Sequence, residues 1–396
     1  MNKTIVFVAN GFTKDNVRLQ PWRYVYEMAK HKSNNNTVYV ITEGASDISS
    51  EEWDEGFIVV ESILLSVKKQ FLLIEYIKSL NPNELWWSST PRTVAYYPSL
   101  LRIHCHKVAF ITCPLYRWSE LLRASMSGVP YEQSRALWSQ RFVPRLLFRW
   151  ILNNKLFNHV VVQSKNNQNI LENNGVDKNK ISLLPVGIDE EDANPLNENV
   201  LNAVSNTLQS KENEVTFLYL GALRPIRGFD SLIKAFPAVI KNNPNARLVV
   251  LARGATDEKC KTLLSELKIK GLDSNVSVFG GWLEKDEVRS YIELSDIVVL
   301  PFVLVPSDIP IAALEALARG KPIVVSPVDG LPELAVNRGI IVDPLNTQKF
   351  SDELLSLSED VEKIDMYKDE ARRFIETYPR WKDVGDLMDG ICAKFN

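Results

Sequence analysis

The chain has 396 residues, 45% of them hydrophobic and 24% charged, with a formal net charge of −3. At about 150 residues per domain this length favours two domains. The composition is that of a soluble globular protein, and the slightly acidic balance is far from the basic surplus that sequence-independent binding to DNA or RNA needs.

The opening segment, MNKTIVFVANGF, has an apolar run of about six residues, shorter than a signal core and far shorter than a bilayer span. No later run is long enough either, which predicts a cytoplasmic protein, at most peripheral on the inner face of a membrane. Cys105, Cys113, Cys260 and Cys392 lie far apart, without a C-x-x-C pair or a histidine at zinc-ligand spacing, and are expected to be reduced thiols.

Short apolar runs then recur between stretches of helical length: IVFVAN, TVYVIT, FIVVE, ELWWS, VAFIT and HVVVQS. Runs of this kind, without strict alternation, suit strands covered on both faces of a parallel sheet. Between VAFIT and HVVVQS, the segment RALWSQRFVPRLLFRWILNNKLF carries Arg141, Arg145 and Arg149 beside Trp138, Phe142, Phe148 and Trp150, with no acid. Those arginines are expected on one helical face, either docking on anionic lipid headgroups or forming a solvated cover of the sheet, and Pro144 interrupts the helix.

The stretch from 190 to 214, EEDANPLNENVLNAVSNTLQSKENE, is polar and has no strand pattern. It sets the expected boundaries: a first domain over 1–195, a linker over 196–214, a second domain over 215–376 and a final helix over 377–396. The second set of runs is VTFLYL, RLVVLA, VSVFG, IVVLP, PIVVS and IIVD. Ligands of such sheets bind beyond the carboxyl ends of strands, so the loops after strands carry the chemistry.

After VTFLYL comes GALRPIRGFDSLIKAF, in which Gly221 and Gly228 permit close backbone approach and Arg224 and Arg227 offer planar donor forks suited to phosphate. The loop reads as an anion site or as a solvated loop. It is not a P-loop, and no G-x-G-x-x-G follows any strand. After IVVLP a helix is expected to start near Pro310, capped by Ser307 or Asp308, with free amides for an anion. Glu315 lies more than a turn inside it and needs a partner, either a ligand's vicinal diol or Arg319 at i+4.

In their order, YLGALRPIRGFDSLIKAF, VFGGWLEKDEVRSYIELSDIVVLPF, ALEALARGKPIVVSPVDGLPELA and GIIVDPLNTQKFSDELL resemble the donor domain of retaining GT-B glycosyltransferases, family 4 (group 1). HVVVQSKNNQNILENNGVDKNKISLLPVGID and the final YPRW helix are similar to the segments that enter and leave that domain. The resemblance implies an α/β fold of two Rossmann-like parallel-sheet domains facing each other across a cleft. It also implies transfer of a sugar from a nucleotide diphosphate donor, a UDP-sugar before a GDP-sugar, to an acceptor hydroxyl with retention, in glycan, polysaccharide or glycolipid synthesis.

Within that resemblance, Glu315 would hold the donor ribose and Arg227 and Arg224 the diphosphate, with the amides of Ile311 and Ala312. Gly221 adjoins the phosphates, and Gly281, Trp282 and Leu283 would meet the base. Ser307 stands where the family's sugar-binding glutamate is expected and Asp308 where a glycine is, so that Asp308 is a candidate sugar contact. Ala222 replaces the usual arginine. The carbohydrate or lipid-linked acceptor would lie against the first domain, with Gly11, Arg18, Thr112 and Tyr116 as candidates. Neither a metal nor a cofactor is expected, because the family does not need an acidic metal-binding motif, and His31, His104, His106 and His159 read as surface or packing residues. A catalytically degenerate partner subunit or a nucleotide-sugar epimerase of similar fold are the other readings.

Overall fold

A computed structural model describes residues 2–394 except 46–47, 66, 89–94, 114, 116, 144, 155, 210, 212 and 306. The first sheet consists of β1 (Thr4–Val8), β2 (Thr37–Glu43), β3 (Ser49–Glu52), β4 (Ile58–Ser62), β5 (Glu84–Ser88), β6 (His106–Ile111), β7 (His159–Val162) and β8 (Ile181–Leu183). Its order is β3-β4-β2-β1-β5-β6-β7-β8, parallel throughout except for β3 against β4. The second comprises β9 (Val215–Gly221), β10 (Ala246–Arg253), β11 (Val276–Gly281), β12 (Ile297–Leu300), β13 (Ile323–Val325) and β14 (Gly339–Ile341). Its order is β11-β10-β9-β12-β13-β14 and every pairing is parallel.

Every apolar run singled out above forms a strand. Two strands carry no such run. Ser49–Glu52 is polar and fully exposed, made a strand only by pairing with the edge strand β4, and Ile181–Leu183 is too short to show a pattern. Three apolar cores cover the sheet faces. The largest is continuous through both domains, from Phe7 and Tyr24 through Trp381 and Met388 to Leu218 and Leu314.

The polar segment expected to be a linker over 196–214 contains a helix, Glu198–Leu208, N-capped by the Asn197 side chain. Its apolar stripe is narrow: Val200, Val204 and Leu208, four residues apart, are the side chains that meet the core. The chain between the domains is therefore a packed element. The final helix, Trp381–Ala393, returns to the first domain and lies on the helix Trp22–Ser33, where Asp389 accepts from Lys32 Nζ at 2.5 Å and pairs with His31 at 2.8 Å. Gly187 allows this crossing, since a Cβ there would come within 2.8 Å of the Trp381 backbone and ring.

Charged groups join the domains at the turn after β8. Asp189 accepts from Arg23 at 2.7 Å and from Lys285 at 2.9 Å. Arg289, buried on the helix Lys285–Glu293, donates to Asp192 at 2.9 Å, Asp286 at 3.0 Å and Glu191 at 3.1 Å. Removing one partner of a buried pair leaves the other charge without compensation, at a cost of about 3–5 kcal/mol. Arg289→Ala should lower the stability measured by urea unfolding by about that amount. Exposed Glu190→Ala, next to the network but outside it, should change it by less than about 0.5 kcal/mol.

Candidate active site

Strand order in the second sheet reverses between β9 and β12, and the crevice beyond the carboxyl ends of those two strands is where a parallel sheet leaves room for a ligand. The loop after β9 turns through Pro225–Arg227 into Gly228, which has φ 71° and lies so close to the Pro301 carbonyl that any Cβ would overlap it. That contact holds the arginine loop against the end of β12. Arg227 lies 4.8 Å over the Phe302 ring, and Arg224 is exposed toward the crevice.

The segment after β12 leads to the helix Ile311–Ala318. Pro310 occupies the N-cap position and no side chain caps the helix. Neither Ser307 nor Asp308 therefore has the capping role expected of it, and the first turn faces the crevice through half-buried Ile311 and Ala312. A cavity of about 500 Å³ lies here, bounded by Gly221, Arg224, Arg227, Ser307, Ile311 and Glu315. A smaller recess of about 80 Å³ continues from it past Gly281, Trp282 and Leu283. Each predicted donor residue except Asp308 lines one of these two spaces.

Glu315 is not paired with Arg319 as the i+4 spacing allowed. Arg319 turns to the Glu293 carboxylate at 3.9 Å and donates to the Asn194 and Glu191 carbonyls. Among the described residues, no hydrogen bond to the Glu315 carboxylate is present. Burial raises its pKa to about 7; Asp192 pushes the same way and Arg253 opposes it. A carboxylate in this setting at the wall of a cavity is an acceptor for a ligand's hydroxyls.

Asp308 goes elsewhere. It is fully buried, and its carboxylate accepts from Ser164 Oγ of the first domain at 2.8 Å while its amide donates to the Thr112 carbonyl at 3.2 Å. The expected sugar contact through Asp308 is thus replaced by an interdomain one, because closure of the second domain on the ends of β6 and β7 carries this side chain away from the cavity. Glu333 adds to the same seam, accepting from the amides of Lys165 and Asn166. Burial raises the Asp308 carboxyl to about 7, against the hydrogen bonds from Ser164 and Asn167 that favour its charged form.

Of the acceptor candidates, Arg18 lines both spaces and reaches Glu284 at 3.9 Å. Gly11 lies behind Trp22, whose ring lines the larger cavity, and Thr112 is buried in the seam. Tyr116 lies outside the described residues. Sequence reading passed over Arg253 and Trp22. Arg253 ends β10 and lines both spaces, a placement that the rule of strand carboxyl ends identifies without coordinates.

Residues 214–360 match the family model described as glycosyl transferases group 1. The second domain thus matches the group 1 glycosyltransferase model, in a chain with the GT-B fold. Sequence similarity to individual proteins is partial. An uncharacterized glycosyltransferase of Methanocaldococcus jannaschii is 33% identical over 138 residues, 34% of each chain. The GDP-mannose-dependent monoacylated alpha-(1-6)-phosphatidylinositol monomannoside mannosyltransferase of Corynebacterium glutamicum is 26% identical over 214 residues, 52% of this chain and 55% of its own. The chain thus matches a third to just over half of these relatives' length. In fold the likeness extends end to end: HepE of Anabaena, solved in complex with UDP-glucose, superposes with a TM-score of 0.71 at 13% identity, covering 99% of this chain and 100% of its own.

The seam carries a pH dependence. Unfolded, Asp308 loses its proton near pH 4, whereas folded it holds it to about 7. The native state therefore binds the extra proton between these values, and its contribution to stability, complete below about pH 4, is lost as pH rises through 7. Glu315 adds a change of the same sign. Thermal melts between about pH 5 and 8 should show the wild type losing stability with rising pH, and Asp308→Asn, which needs no proton to be neutral, losing less.

Proposed function

We propose that this protein transfers a sugar from a nucleotide diphosphate sugar, a UDP-sugar before a GDP-sugar, to a hydroxyl of an acceptor held against the first domain. The observation that carries the reading is the composition of one cavity. A carboxylate with no hydrogen bond among the described residues, Glu315, is on its wall, and Arg224, Arg227 and the uncapped start of the helix Ile311–Ala318 line the same space. A ribose offers two hydroxyl donors to the first; a diphosphate carries the charge that the others attract. Trp282, Leu283 and Gly281 border the adjoining recess, which leaves a base beside an exposed aromatic ring and backbone.

Departure of a nucleoside diphosphate builds negative charge on the β-phosphate, and donors already placed around it lower the barrier. Arg227 and Arg224 have that role in this reading, with the helix start, so that the charge is neutralised by the chain itself and not by a metal. Retention at the anomeric carbon fits a site in which the leaving phosphate and the acceptor share one face. The relatives' names divide between GDP-mannose and UDP-glucose, and the preference for UDP is the first point to test.

Isothermal titration with UDP and with GDP should show binding of one nucleotide, weakened at least about tenfold by Glu315→Ala, since hydrogen bonds to a charged group contribute about 1.5–3 kcal/mol each. Binding of neither nucleotide, or identical binding by the variant, would sink the assignment. Arg227→Ala should mainly lower turnover, by about 10² to 10³, read as acceptor-dependent release of nucleoside diphosphate. That release should persist in a chelator.

A further inference from the structure

The helices between β6 and β7 carry large apolar side chains that stay exposed among the described residues. On Trp118–Met126 the residues Trp118, Leu122 and Met126 follow one another at i+4, and all face out, opposite buried Leu121 and Ala124. Met126 is 88% exposed. The ring of Trp118 meets Phe142, at a centroid distance of 5.9 Å, and joins this stripe to the next helix end. Phe142 is 72% exposed and Leu146 70%, and Leu146, Leu147 and Trp150 present a second outward face on Arg145–Asn153, opposite buried Phe148, Ile151 and Leu152. A helix that is apolar on both its inward and outward faces has a second apolar neighbour in its working state.

The charge around this surface decides what that neighbour is. From Trp118 to Asn153 the sequence has five arginines, at 123, 135, 141, 145 and 149, against two acids, Glu120 and Glu132, although the whole chain is net negative. Arg145 and Arg149 are exposed on the same helix as Leu146 and Trp150, whereas Arg141 ends the preceding helix and lies over the Trp118 ring at 5.6 Å. The three arginines do not form the single helical face that their spacing suggested, because the chain breaks helix between 141 and 145. A second copy of the chain across a two-fold axis would set these arginines against themselves. Trp, Phe and Leu interleaved with exposed arginines match the boundary of a bilayer, where rings settle at headgroup depth and cations meet anionic phosphate. No described helix is long and apolar enough to cross a membrane.

We infer that the outer face of the helices from Trp118 to Asn153 docks on an anionic phospholipid bilayer. The face adjoins the cleft. On its inner side the same helical layer packs on Ile226, Val303 and Leu304, and Gln133 Oε1 accepts from the amide of Ile226, next to Arg227. Docking is independent of catalysis and is tested apart from it.

Full-length protein is sedimented with vesicles of phosphatidylcholine alone and of phosphatidylcholine mixed with phosphatidylglycerol. The wild type should co-sediment with the mixed vesicles and weakly with the neutral ones, and high salt should weaken the interaction. Phe142→Ser with Leu146→Ser, and separately Arg145→Glu with Arg149→Glu, should each lower the vesicle affinity at least about tenfold. Both pairs change exposed side chains, and unchanged melting and nucleotide titration would show that fold and donor site are intact. Absence of binding to mixed vesicles, or equal binding by the variants, overturns the inference and leaves the transferase reading standing. A wild-type dimer that Phe142→Ser with Leu146→Ser dissociates would overturn it too, and assign the face to a second copy.

Discussion

The cleft exists because Asp189 and Asp192 hold one domain to the other. Both follow the Pro-x-Gly-Ile turn at the end of the first sheet, and between them they engage Arg23 of the first domain and Lys285 and Arg289 of the second. Their charges are balanced within the cluster, so burying them brings order without an unpaired ion. The final helix tightens the same junction: its first residue, Trp381, packs against Gly187 and the Arg23 side chain. With the junction set, the carboxyl ends of both sheets point into one space, and every loop argued to bind the donor opens there.

This cluster also reaches into the site. Asp192 lies close enough to Glu315 to oppose its ionisation, whereas Arg253 favours it. Burial, the larger effect, raises the carboxyl to about 7, and hydroxyls donated to it by a ligand would favour its charged form. The residues just before the helix that carries Glu315 have a different logic. Ser307 borders the cavity, while Asp308 beside it turns into the domain seam against Ser164 and Thr112. Asp308 thus serves closure of the two domains.

The physical separation between the two faces of the first domain matters for the same reason. Helices after β6 bury Leu121, Ala124 and Leu137 against the arginine loop of the second domain and expose Leu122, Met126 and Phe142 on the other side. A single layer of helix separates the arginine loop of the cleft from the surface argued to meet lipid. A sugar acceptor anchored in a bilayer would have a short path to this site.

Most of the fold was legible because strands buried on both faces must be continuously apolar, and a helix must separate them if they run parallel. IVFVAN and VTFLYL could be placed for that reason, and SSEE could not, since its strand character comes only from the edge it pairs with. The helix Glu198–Leu208 was hidden in a polar segment because three apolar residues at i+4 suffice once a neighbour is there to receive them. That Gly228, Arg227 and Glu315 would lie at the strand ends was readable, since backbone freedom, planar cationic donors and an acid in an apolar helix are properties of residue types at given positions after a strand. The partner of a side chain is not such a property. Arg319 has the spacing to meet Glu315 and bonds the chain at Glu191 and Asn194 instead; Asp308 has the position to meet a sugar and is drawn into the seam. Sequence alone determined which apolar segments become strands and which loops carry charge, because those follow from local pattern. Which charges meet was decided only when two distant domains closed on each other, because a buried carboxylate takes the nearest compensating donor in space, at whatever distance along the chain.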